Sequence, residues 1–407
     1  MNGEKRYDAV VIGAGPAGST AALRVAEAGL GVLLVEKRER VGSPVRCAEA
    51  TGHRGELERF FPVREEWITG PIDGGRFISP GGTAIEKRAP GIGVMLDRER
   101  FDAGAACAAA EAGAQLRTGC AATGLLRGSG GAVEGVRLRE EGREWTARCR
   151  VVVAADGIEA LAGRWAGLAP RWTAAELFSC AEARIRTARR RPDGMLEFRF
   201  GNEIAPGGYA WAFPRADGIW NVGLGVETAR AGGIHASAWL ERYLERFEPG
   251  AEIVGRVAGA ACRARSLRRI SGNGTLLAGD AARQGNPLTG GGIMNALEAG
   301  DLAGRTAARA LEGKDGDPEA VLAEYDRAWA RTAGRLNDRY LRLADVFYRY
   351  DDAMLEKVWM GMARIFRDRE RGTGRLRLAA DLLRLPGSFL SACLPILRVS
   401  RNMRRLF

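Results

Sequence analysis

Gly13-Ala14-Gly15-Pro16-Ala17-Gly18 follows an apolar run, Tyr7 to Gly13, and leads into an alanine-rich stretch, Ala17 to Ala28. No other feature constrains the fold as much. A short apolar run of this kind suits a strand buried on both faces of a parallel sheet. Gly29 to Glu36 reads as a second such strand, so the first segment makes one β-α-β unit with short connections. Because 56 of the 407 residues are glycine, a G-x-G-x-x-G arises by chance about once in such a chain. The spacing alone therefore carries little, and the setting carries the rest: a buried strand before it, a helix after it, and Glu36 ending the next strand 18 residues beyond Gly18. Gly13 permits the tight turn, Gly15 lets the backbone approach a pyrophosphate, and Gly18 allows close helix packing. Unpaired N–H groups at the helix N-terminus face the anion, and Glu36 can accept both hydroxyls of an adenosine ribose. The expectation is a doubly wound α/β fold that holds a dinucleotide.

Several chemistries lack material. Only His53 and His235 are present, which leaves almost nothing for a zincin or a histidine metal triad, and no metal site is expected. The seven cysteines are scattered and contain no C-x-x-C, as in a chain kept reduced, and no second flanked G-x-G-x-x-G accompanies them. That argues against the disulfide reductases with two nucleotide domains. No run of 18 apolar residues occurs and residues 1–6 lead straight into a strand, so a cytoplasmic protein is expected, with neither a membrane span nor a signal peptide.

Residues 361–407 hold eleven arginines and no lysine against Asp368, Glu370 and Asp381, and so carry most of the net charge of +11. Nucleic acid is not an expected partner, because interleaved aromatics and a recognition helix are missing. Apolar residues between the arginines (Leu382, Leu383, Leu385, then Phe389 to Leu397) fit a face lying on anionic lipid at the inner side of a membrane. A solvated helical face fits the same pattern.

Arg150 to Gly157 and Gly274 to Asp280 are further apolar strands, placed to return to the first sheet. Between them Leu177 to Val226 alternates as antiparallel strands do, broken at Pro206-Gly207-Gly208 and Asp217-Gly218, while the chain beyond Pro318 reads as helices. Asp280 ends a strand, and Gly290, Gly291 and Gly292 open an alanine-rich helix, which makes a second helix N-terminus suited to negative charge.

This last segment resembles the flavin-binding GD motif of the hydroxylase-type flavoproteins, and Val153 to Gly157 resembles their DG motif. Gly207 to Val226, with its Y-x-W-x-F-P, together with Pro44 to Glu49, resembles the geranylgeranyl reductase family, including its archaeal digeranylgeranylglycerophospholipid reductases. The likeness runs over most of residues 5–310 and departs at Ala50, Ala160 and Arg215, where glycine, serine and lysine are usual. It implies a Rossmann-like, discontinuous FAD-binding domain (1–65, 95–165 and 265–315), an inserted antiparallel β-sheet substrate domain (66–94 and 166–264) and a helical C-terminal domain (316–407).

The resemblance also implies a chemistry, the reduction by FAD of C=C bonds in geranylgeranyl chains of prenyl lipids or of the diphosphate. The electron donor is open between NAD(P)H, ferredoxin and similar carriers. Besides Gly13, Gly15, Ala17, Gly18 and Glu36, the implied FAD contacts are Lys37, Arg46, Cys47, Ala48, Arg100, Asp156, Gly157, Gly279, Asp280, Pro287, Gly290, Gly291, Gly292 and Ile293. Tyr209, Trp211 and Phe213 alternate on one strand and share a face, with Pro214 at its end. They make either a core stripe or, as the resemblance implies, an isoprenoid-binding wall. An isolated alkene needs a proton at one carbon as hydride reaches the other. Cys47 is the implied proton donor, though a small buried filler is the common role of such a residue. The other chemistry considered for this fold is an FAD-dependent monooxygenase or halogenase acting on a small aromatic substrate.

Overall fold

The computed structural model describes residues 4–215, 218–313, 317–370 and 384–397. Asp217 of the expected turn, and residues 371–383 and 398–407 of the basic segment, Leu382 and Leu383 among them, lie outside the described residues.

Ala9–Ile12, Val32–Val35 and Val151–Ala154 are buried at every residue, because helices pack on one face of the sheet they form and strands Cys120–Arg127 and Val133–Glu140 pack against it from the other side. They pair in parallel, Val151–Ala154 beside Ala9–Ile12 and Ala9–Ile12 beside Val32–Val35. Thr275–Leu277 and Gln115–Arg117 extend the sheet on either side, and Ser271–Gly272 closes one edge, antiparallel to its neighbour. Helix Pro16–Glu27 starts with a proline in its first turn and is followed by Gly29 at φ +74°, the backbone a chain needs to turn back into a strand.

That helix packs against Ile293–Glu312 by direct backbone approach. A Cβ on Gly300 would fall 2.2 Å from the Ala17 carbonyl oxygen, and one on Gly304 would fall 2.5 Å from that of Ala21. The two helices that open the cofactor-facing loops are thus locked at a distance only glycine allows.

The second sheet has eight strands, in the spatial order Glu252–Cys262, Leu177–Arg186, Trp220–Glu227, Tyr209–Pro214, Met195–Phe200, Ile68–Ile78, Ala84–Leu96 and Ala50–Gly52. The expected antiparallel sheet is in fact mixed. Met195–Phe200 runs parallel to Ile68–Ile78, since the earlier hairpin and the later meander meet side by side. Ala50–Gly52, which falls within the segment expected to bind FAD, instead pairs with Ala84–Leu96 at the sheet's edge. A third sheet, of Glu4–Arg6, Arg143–Arg148, Val133–Glu140 and Cys120–Arg127, has no counterpart among the expectations.

Period-two alternation decides which face of the large sheet does what. Ala181, Ala183, Ile185, Ala210, Ala212, Val222 and Leu224 point to one side and pack against Leu240, Tyr243 and Leu244 of helix Ala236–Phe247. Their sequence neighbours point to the other side, where Phe178 and Phe200 meet Phe347, Tyr348, Trp359 and Phe389 of the C-terminal helices. Leu385, Phe389 and Ala392 are buried in that cluster and cover the sheet, while Leu394 is half exposed. No helix among the described residues is long and apolar enough to cross a membrane.

Replacing Gly300 by alanine should force the two locked helices apart and cost about 1–3 kcal/mol of stability. Urea unfolding would register this as a lower midpoint at an unchanged slope.

Candidate active site

Between the parallel sheet and the open face of the large sheet lies a chamber of about 380 Å³. One end is backbone. Gly15, Pro16 and Ala17 from the first helix, Gly157 from the strand end at Ala154, and Gly279, Asp280, Gly290, Gly291, Gly292 and Ile293 from the later loop all line it. Gly13 and Gly18 close the turn behind them. A Cβ on Gly13 would lie 2.4 Å from the Ala155 carbonyl oxygen, and one on Gly18 would lie 1.8 Å from that of Gly13. By contrast, a Cβ on Gly15 would meet nothing within 4 Å, so the loop is open on the side of the helix N-terminus. That helix end has no side-chain cap, and neither has the end that Gly292 opens. Glu36 braces the loop: Ala14 N–H and Arg38 N–H each donate to its carboxylate at 3.1 Å.

An elongated, anionic dinucleotide fits this cradle on three observations. Two helix ends lack their own caps. Asp156 keeps one buried, unpartnered carboxylate oxygen while the other accepts from Ala162 N–H at 2.8 Å. Desolvation pushes the Asp280 carboxyl up, with Arg98 opposing it, in the way of an acid set beside a site and not in water.

Not every residue named from the sequence reaches this chamber. Lys37 points away and pairs with Glu159 at 2.5 Å on the surface. Arg100 is exposed beside Asp97, and Arg98, two residues earlier, lines the chamber in its place, gripping Asp102 through two bonds of 2.8 Å. Residues two apart at a helix start face opposite ways, which explains the exchange. Pro287 is buried in the loop and Pro214 ends its strand; neither lines the chamber.

The other end is apolar and asymmetric. Tyr209, Trp211 and Phe213 share one wall, their ring centroids 6.0 and 6.3 Å apart in succession. Behind them Phe198 packs on Tyr209 and Phe213, so the stripe is at once core and wall. The Tyr209 hydroxyl donates to the Thr289 carbonyl and the Tyr348 hydroxyl to that of Leu288, at 2.6 Å, which ties the wall and the C-terminal helices to the glycine loop. Opposite stand Cys180 and Glu182 on Leu177–Arg186. In register between the two walls lie Gly223, paired with Trp211 and Glu182, and Gly225, paired with Tyr209 and Cys180. A Cβ on Gly223 would fall 2.4 Å from the Trp211 ring. The Trp211 ring lies over Gly223, and Gly225 lines the chamber with bare backbone, so a trough runs between the two walls. Its signal in the sequence is Asn221-x-Gly223-x-Gly225 on an alternating strand.

Arg46, Cys47, Ala48 and Glu49 border both ends. Glu49 is fully buried at φ +68°, a strained backbone for a residue with a side chain. Its carboxylate holds it there. Asn221 donates at 2.8 Å, Arg98 N–H at 3.1 Å and Arg184 at 3.5 Å, and Arg215 closes the set. Glu49 N–H in turn lies 3.3 Å from the Cys47 sulfur. Burial pushes the Cys47 thiol up, opposed by Arg98, so it remains protonated at neutral pH.

Comparison with known proteins meets this geometry. Residues 177–261 match the geranylgeranyl reductase catalytic domain and residues 8–52 match an FAD binding domain. The digeranylgeranylglycerophospholipid reductase of Methanosarcina acetivorans is 40% identical over 358 residues, covering 86% of this chain and 87% of the relative. This chain belongs to the geranylgeranyl reductase family. It is an FAD-dependent oxidoreductase, and its cofactor is FAD. The digeranylgeranylglycerophospholipid reductase of Methanothrix thermoacetophila is 39% identical, covering 87% of this chain and 90% of the other. A geranylgeranyl bacteriochlorophyll reductase-like protein from Thermoplasma acidophilum superposes with a TM-score of 0.86 at 29% identity, covering 98% of this chain and all of the other. The myxobacterial chondrochloren halogenase shares the fold at 20% identity, with a TM-score of 0.69, covering 98% of this chain and 99% of the other.

Replacing Glu49 by alanine should remove the carboxylate that Asn221, Arg98 N–H, Arg184 and Arg215 share and release the strained turn beside Cys47. The expected loss is about 3–5 kcal/mol in chemical denaturation, together with weakened FAD retention on gel filtration.

Proposed function

We propose that this family member saturates C=C bonds of geranylgeranyl chains in isoprenoid lipids, with the chain laid in the trough. The observation that carries this reading is that one chamber joins a dinucleotide cradle to an apolar trough, with a protonated thiol at the junction. When bound, reduced FAD supplies hydride. The protein's own residues do the rest. Tyr209, Trp211 and Phe213 hold the hydrocarbon and exclude water, each buried CH₂ contributing about 0.8 kcal/mol. Cys47 gives its thiol proton to the carbon that does not receive hydride, and Glu49 fixes where that thiol stands.

FAD binding is assigned to residues 1–65, 95–165 and 265–315, apart from the strand Ala50–Gly52. The substrate sheet is assigned to 66–94 and 166–264, and the roof over it to helices within 316–407. A redox partner, NAD(P)H or a ferredoxin-like carrier, reduces the cofactor. Contact with the inner face of a membrane rests on the arginines of residues 361–407 and on the substrate's solubility. For monooxygenase or halogenase chemistry the support is shared fold alone.

Anaerobic incubation of the dithionite-reduced protein with geranylgeranyl diphosphate should yield saturated chains by mass spectrometry. Oxygen uptake coupled to oxidation of a small aromatic would overturn the reading. Cys47→Ala should keep bound FAD and lose about a hundredfold in alkene reduction; turnover at the wild-type rate would remove Cys47 from the reaction. Flotation with anionic vesicles should occur at low ionic strength and fade as salt is raised, and its absence at low salt would exclude the membrane contact.

A further inference from the structure

Glu182 is a chamber residue to which the reaction above gives no role. It is 5% exposed and sits on Leu177–Arg186 in register with Gly223 and Trp211. The sheet's other buried glutamates, Glu197 and Glu227, and Glu49 of the neighbouring loop are each ion-paired to arginine. Glu182 has no ion pair within 4.0 Å among the described residues, because Arg184 and Arg215, the cations on its side of the chamber, are both directed at Glu49. A buried carboxyl without a cation of its own is more stable neutral than charged. It also acts on Cys47: a charge on Glu182 is one of the influences that raises the thiol.

The chemistry proposed above leaves a problem that this placement answers. Each saturation strips a proton from Cys47, and the thiolate left behind is buried beside the Glu49 carboxylate, while the hydrocarbon that fills the trough keeps water out. A geranylgeranyl chain presents several C=C bonds, so the thiol must be restored before the next one is reduced.

We propose that Glu182 is the relay that returns a proton to Cys47 between successive reductions, acting through the thiol and not on the substrate. The inference rests on Cys47 being the proton donor. In the step, the O–H bond of Glu182 breaks and the S–H bond of Cys47 forms, and the negative charge moves from sulfur to carboxylate. No electrons are transferred. The carboxylate then takes up a proton from solvent, which restores its O–H bond.

The groups facing Glu182 set its titration. Cys180 and Arg184 come from its own strand, Trp211 from the aromatic wall, Arg215 from just beyond that wall, and Cys47 and Glu49 from the loop; the adjoining strands present Gly223 and Val257. Burial, with the Glu49 charge adding to it and Arg184, the Trp211 side chain and Arg215 opposing, pushes Glu182 up to about 8. The raised acid is a donor below that pH and is spent above it. Transfer to the Cys47 thiolate runs downhill, because the thiol is raised from an already higher value.

Two measurements on the FAD-loaded protein test this. Difference infrared spectroscopy should show a protonated carboxyl C=O band that is present at pH 7, disappears with a midpoint near pH 8 and is missing in Glu182→Gln. The absence of such a band in the wild type would overturn the proposal. With dithionite-reduced protein and geranylgeranyl diphosphate, Glu182→Gln should slow the later bonds roughly tenfold more than the first. The fall in rate above pH 8 should vanish in that variant, and Glu182→Asp should restore both features in part. Normal FAD absorbance in each variant excludes simple misfolding. Wild-type rates for the later bonds in Glu182→Gln would overturn the relay. A slow first bond in Glu182→Gln with full activity in Cys47→Ala would also overturn it, and would place the failure in the role given to Cys47.

Discussion

The Glu49 carboxylate is the contact on which the rest of the site depends. It lies at the end of a loop that leaves the nucleotide sheet, yet its partners are the Asn221 and Arg184 side chains and Arg215 of the large sheet, and the first backbone N–H of helix Arg98–Glu111. One side chain thereby joins three elements distant in sequence. A buried charge with several donors is stable only if every donor is in place, so the arrangement is all or none. The strained backbone at φ +68° is held by it, and the thiol two residues earlier takes its position from that strain.

The large sheet shows how a pleat can divide labour. Alanine and small aliphatic residues on one face accept a helix, while the alternating positions carry rings, acids, a thiol or nothing at all. A trough made by omitting side chains has a particular merit for a flexible hydrocarbon. At Gly225 its floor is backbone whose polar groups are already satisfied within the sheet, so apolar contact there requires no further desolvation of hydrogen-bonding groups. The C-terminal helices complete the enclosure, which is why their aromatic residues are buried.

Much of this was legible in the chain because it is local. The glycine-rich turn between two buried strands, the three alternating aromatics and the triple glycine before a helix each lie within a few residues, where periods of 2 and 3.6 speak directly. What escaped is long-range. Arg215 reaches Glu49 across 166 positions, and no spacing rule announces such a pairing. Arg100 and Arg98 are equivalent in composition, and only the helix that Asp97 caps decides which turns inward. The apolar residues near the C-terminus fit a lipid face, a solvated face or a lid equally well until the partner surface is known; Phe389 found Phe347. Glu182 and Arg184 did leave a trace, as charges at alternate positions in an otherwise apolar strand.

The crossing of the two glycine-opened helices has one more consequence. Because backbone touches backbone at Gly300 and Gly304, the span between the two helix ends that face the chamber is gauged at Ala17, on the chamber's edge, and again at Ala21, a turn behind it. The chain therefore measures the length of its cofactor with a ruler that reaches back behind the binding site. Tolerance for a shorter or longer nucleotide would be altered by packing changes that never touch it.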